Sequence, residues 1–165
     1  MPELIIEFTR RTDGDVILRC TRADGTATWQ RVEGRQAAFF PHHDLTHYAV
    51  ETELSFREGF FGLIAAGWDV ADTGGKGRRG RLPREATLVE WLVGAFDLER
   101  AAGVPWSAED FNTHLATAGS EPSGATSPRL SEEALERVRD RRRQLFAAWA
   151  AVLPGATLEL RFDRP

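Results

Sequence analysis

A single cysteine, Cys20, stands among the 165 residues, which excludes an internal disulfide and any paired-cysteine metal or redox motif, and which suits a reducing compartment. Long apolar runs are missing as well. No uncharged stretch approaches the roughly 20 residues that a membrane span requires, and the opening Met-Pro-Glu-Leu-Ile-Ile-Glu has an acidic residue where a signal peptide carries its apolar segment. A cytoplasmic location with no membrane partner is the expectation. There is no excess of positive charge either: the formal net charge is −4. This argues against nucleic acid as a partner, because non-specific binding rests on Lys and Arg neutralising phosphates. No serine or cysteine sits in a recognisable nucleophile turn, and Cys20 lies in a predicted strand with no base near it in sequence. A nucleophilic mechanism finds no support.

What is present is an ordinary globular balance, 42% hydrophobic and 28% charged, in a chain long enough for one core and read as a single domain over 1–165. From Leu4 to Val32 apolar residues alternate in three runs, Leu4, Ile6 and Phe8, then Val16, Leu18 and Cys20, then a Thr-rich run with Trp29 and Val32. Asp13-Gly14 and Asp24-Gly25 fall between them and supply the positive φ of hairpin turns. Leu158, Leu160 and Phe162 alternate again near the end and predict a last strand that returns to pair with the first. Between these strands lie about five helices. The class is therefore α+β, with helices on one face of a small antiparallel sheet built of three N-terminal strands and one C-terminal strand.

The helical signals are local. Pro41 pre-sets φ for a first turn and predicts a helix from there to about Leu54, after a connector over 33–40. Ser55-Phe56-Arg57-Glu58 matches a capping box and predicts that a second, almost wholly apolar helix starts at once. Gly59, Gly62 and Ala66 give that helix a small-residue edge along which the first can approach closely. Pro83 opens a third helix that closes before Gly103, Ser107 a fourth, and Ser131 a fifth, which Pro154-Gly155 stops. Segments 69–82 and 119–130 read as mobile loops.

Chemistry is densest in Phe39 to Glu51, where three of the four histidines and two carboxylates occupy thirteen residues. On a helix His43 and His47 stand one turn apart with Glu51 next along the same edge. This is metal-ligand spacing, with Asp44, His42 or His114 available to complete a site for zinc or another divalent metal. Asp44 and Glu51 are also the candidate catalytic carboxylates, since either can orient a histidine that titrates near neutral pH. The opposing expectation makes Asp44 the helix N-cap and His47 a core histidine; the protein is then a non-catalytic interaction module. Elsewhere, Lys76, Arg78, Arg79 and Arg81 in the glycine-rich loop are weak candidates for holding an anion, without the P-loop spacing. Arg137 to Arg143 read as a solvated helix face balanced by Glu132, Glu133, Glu136 and Asp140.

The run His43-Asp44-Leu45-Thr46-His47 resembles in part the zinc helix of metalloproteases, His-Glu-x-x-His. That resemblance implies metal binding by the two histidines. It covers five residues, and the shorter Asp44 stands where that family has its general-base glutamate, so proteolysis is not implied. In general style, with its Phe-Phe-Pro-His-His-Asp-Leu-Thr-His entry and Pro-Gly-Ala-Thr-Leu-Glu-Leu-Arg-Phe ending, the chain resembles small bacterial proteins, a likeness that carries no activity.

Overall fold

The alternating runs form the strands expected of them: β1 is Leu4–Arg10, β2 Val16–Arg22, β3 Ala27–Val32 and β4 Thr157–Phe162. This is seen in a computed structural model that describes residues 2–118 and 127–165. All pairings are antiparallel and the order is β3-β2-β1-β4, so the last strand closes against the first, with Leu4 opposite Phe162 and Ile6 opposite Leu160. Gly14 and Gly25 take the positive φ their hairpins need. Leu4, Ile6, Phe8, Val16, Leu18 and Cys20 are buried on the inner face. Trp29 and Val32 lie three residues apart and so take opposite faces; Trp29 is 64% exposed on the outer one.

The helices are α1 (Gly34–Glu53), α2 (Phe60–Ala65), α3 (Arg84–Ala102), α4 (Ala108–Ala118) and α5 (Glu132–Ala150). Helix α1 is the hub, packed against α2, α3, α5 and β3. Tyr48 of α1 donates its hydroxyl to the Arg161 carbonyl of β4 at 2.7 Å, and Trp149 of α5 meets Phe8 of β1. Helix α3 joins α1 and carries α4 with it through Phe96 and Phe111, whose rings are 4.7 Å apart. Capping at Ser107 and Ser131 follows expectation, each hydroxyl accepting the backbone N–H three residues on. Among the described residues no helix is long and apolar enough to cross a membrane.

Three local expectations are corrected. Helix α1 begins at Gly34, not Pro41; the proline lies inside it, where it only withholds one donor from the ladder. Asp44 is accordingly mid-helix and buried, not a cap. The Ser55 box opens no helix: Ser55 sits at φ 59° and α2 starts five residues later. The reason is tertiary. Glu85 of α3 accepts the backbone N–H groups of Arg57, at 2.7 Å, and of Glu58. Glu51 of α1 accepts those of Phe61 at 3.3 Å and Gly62 at 2.9 Å. Carboxylates from neighbouring helices replace the local box. The segment 69–82 contains one 3-10 turn over Val70–Asp72. Of the 119–130 loop, residues 119–126 lie outside the described residues.

The small-residue edge brings α2 onto Glu51. A Cβ at Gly62 would stand 2.1 Å from the Arg57 carbonyl oxygen, and one at Gly59 2.4 Å from the Glu51 carboxyl carbon. Gly94, midway along α3, has open space around it. Gly62→Ala is therefore expected to lower stability in urea by about 1–3 kcal/mol through overpacking. Gly94→Ala should raise it by about 0.5–1 kcal/mol by removing unfolded-state freedom. Equal effects at both positions would refute the tight packing of Gly62 against the Arg57 carbonyl.

Candidate metal and acid–base centre

Helical spacing puts His43 and His47 on one edge of α1, their ring centroids 5.0 Å apart and their planes at 75°. The edge faces α3, which presents Glu90 and Asp97 two turns apart on its own facing side. Asp97 Oδ2 lies 2.7 Å from His43 Nδ1. An ionised carboxylate only accepts, so Nδ1 carries the hydrogen and His43 presents Nε2 as its lone-pair nitrogen. His47 Nε2 lies 3.1 Å from Glu90 Oε1. One ligand atom from each of His43, His47 and Glu90 falls within 4.8 Å of the others, a separation that one ion can span.

Behind His47 stands Glu51. Its side chain is fully buried, and its Oε2 is 3.4 Å from His47 Nδ1, an ion contact without hydrogen-bond alignment. Nδ1 is the only buried side-chain nitrogen or oxygen without a hydrogen-bond partner among the described residues. Burial would drive the proton off His47, yet contacts with Glu51 and Glu90 outweigh it and hold the imidazole's pKa well above its ordinary range. In return His47 holds the Glu90 carboxyl below its usual range against the opposing effect of burial.

Asp44 completes the centre. It is 5% exposed, its carboxylate receives no hydrogen bond among the described residues, and it lines a cleft of about 290 Å³ with His43, His47 and Glu90. Burial pushes its carboxyl up to about 7, with the nearby histidines pulling the other way. A carboxyl balanced near neutral pH suits proton transfer in either direction. Gln30 of β3, Phe40 of α1, Phe60 of α2 and the turn residues Val70, Ala71, Thr73 and Gly74 form the remaining wall. The turn is tied to the sheet by Val70 N–H, which donates to Thr28 Oγ1 at 3.0 Å.

Of the residues singled out by spacing, His43, His47 and Asp44 meet in this cleft, and Glu51 lies one layer behind as the cap of α2. His42 turns away to the edge of Phe146, and His114 lies tilted beside Trp106. Arg79 folds back onto the Gly67 carbonyl and the Trp68 ring, while the Arg78 backbone N–H serves Asp72. Burial and the nearby Asp44 carboxylate push the Cys20 thiol far up, so it offers no nucleophile. Glu90 and Asp97 escaped the sequence reading. Their signal is a pair of acids seven residues apart within an otherwise apolar helical stripe.

The chain matches no family model, no curated protein and no solved structure.

The Asp97 contact makes a direct prediction. Nitrogen NMR at a pH above the usual imidazole range should find His43 in the Nδ1–H form in the parent protein. In Asp97→Ala the ring should move toward the Nε2–H form. A parent protein already in the Nε2–H form would break the orientation of His43 described here.

Proposed function

We propose that the protein binds one divalent transition metal through His43 Nε2, His47 Nε2 and a Glu90 oxygen, with Asp44 as the acid–base group beside it. The observation that carries this reading is the convergence of the three ligand atoms within 4.8 Å, one of them held by a carboxylate on the far nitrogen of its imidazole. Such partners fix the ring and raise its basicity in metal sites, typically changing affinity by about 10–100-fold when removed. Charge supports it too. Four carboxylates, Asp44, Glu51, Glu90 and Asp97, surround the two imidazoles, and a dication offsets part of that negative charge.

Two imidazoles and one carboxylate are a donor set of both catalytic zinc and non-haem ferrous iron, and each leaves positions open for water or a ligand. With a metal in place the site would polarise a bound oxygen, and Asp44 would accept or return the proton. A cleft near 290 Å³ fits a small molecule better than a polymer. The lone buried thiol of Cys20 supports a cytoplasmic setting.

A second reading rests on the same ion contacts. Without a metal, protonated His47 bridges Glu51 and Glu90, a structural triad that joins α1 to α3. Equilibrium dialysis of tag-free protein against Zn(II), and anaerobically against Fe(II), separates the two. One bound ion per chain is expected, lost in His43→Ala, His47→Ala and Glu90→Gln and retained in Glu51→Gln. Failure of the parent to take up either metal, or uptake unchanged in the three ligand variants, would leave the triad as the sole account.

A further inference from the structure

Helix α5 was expected to turn its arginines to water, but Arg139 and Arg142 are only 8% and 6% exposed. Their surroundings differ. Arg139 is neutralised: Nε and Nη2 donate to Glu99 at 3.2 and 2.5 Å, Nη1 to Glu136 at 2.7 Å, and Nη2 also to the Trp106 carbonyl at 2.7 Å. Arg142 meets only neutral acceptors, Thr46 Oγ1 at 3.1 Å through Nε and the Phe96 carbonyl at 3.3 Å through Nη2. No carboxylate pairs with it among the described residues. A buried guanidinium without a direct ion pair is a costly arrangement, and burial pulls this one down to about 10 against the opposing influence of the Asp97 and Glu99 carboxylates.

Arg142 lines a cleft of about 280 Å³ with Arg100, Arg143, Val104, Pro105 and Phe146, and with Glu99 and Arg139, which pair with each other. Arg143 is matched by Asp140. Arg100 forms no ion pair among the described residues, and it and Arg142 both lie over the Phe146 ring, at 5.4 and 5.1 Å. The cleft thus has two unmatched guanidiniums against an apolar wall of Phe146, Val104 and Pro105. It shares no lining residue with the histidine cleft. Thr46 and His42, which face α5, lie on a different side of α1 from His43 and His47.

We propose that this cleft binds a small phosphate monoester, its phosphoryl oxygens on Arg142 and Arg100 and its organic group against Phe146. Two unmatched cations suit a group carrying between one and two negative charges, and guanidinium planes match the geometry of phosphate oxygens. The apolar wall separates an ester from inorganic phosphate.

Phenyl phosphate is the probe, with benzoate, inorganic phosphate and sodium chloride at matched ionic strength as comparisons, read by thermal shift and calorimetry. Phenyl phosphate should bind at one site per chain, more tightly than either other anion. Arg100→Ala, at an exposed position, and Arg142→Met, which removes a buried charge without opening a large hole, should each weaken it by about tenfold or more. Arg137→Ala, on the exposed face of the same helix, should leave it unchanged, as should His43→Ala, which separates this site from the metal centre. Benzoate binding as tightly would overturn the phosphate assignment. A shift matched by sodium chloride, or one that survives both Arg100→Ala and Arg142→Met, would overturn the site.

Discussion

The buried carboxylate of Glu51 is the constraint on which the centre of this molecule depends. It lies on α1 with no exposure at all, and such a charge is tolerated only where donors and counter-charges surround it. The backbone of Phe61 and Gly62 supplies the donors and His47 the counter-charge. Each requirement shapes a neighbour: the entry to α2 needs glycine at 59, where a Cβ would meet the Glu51 carboxyl, and His47 must keep Nδ1 toward Glu51 and so turns Nε2 to Glu90. The direction of the second imidazole follows from an anion that need not touch any ligand.

Around it the electrostatics are graded by burial and contact. Glu90, the most exposed of the four acids, is held below its usual range by His47; Asp97 accepts from His43 Nδ1. Asp44, buried and without a hydrogen-bond partner among the described residues, is the one whose carboxyl is raised to about 7. The environment thus gives four like residues different partners and different degrees of burial, as environments do where acids of one type serve different roles.

Strand content, hairpin turns and the pairing of Thr157–Phe162 with the first strand were legible because alternation and Asp-Gly turns act over a few residues. The edge that joins His43 to His47 was legible for the same reason, helical spacing being local. Whatever depends on partners distant in sequence was not. Asp97 meets His43 across 54 residues, and Glu90 resembles any surface acid until α3 is laid on α1. The Ser55 box is a sound local signal, overridden when Glu85 delivered a carboxylate to the Glu58 N–H that the box would use and Glu51 capped α2 further on. Pro41 misled in the opposite sense, since the residues before it were helical already and one missing donor did not stop them. The solvated-face expectation for α5 holds for Arg137 and Arg143 and fails for Arg139 and Arg142, because Glu99, Thr46 and the Phe96 carbonyl lie on other helices.

Residues 96 and 97 of α3 are adjacent yet answer to different neighbours: the Phe96 carbonyl receives Arg142, and the Asp97 carboxylate receives His43. One rigid rod thus has a grip on each of two clefts. The position of that rod sets at once where the Arg142 guanidinium and where the His43 imidazole can lie.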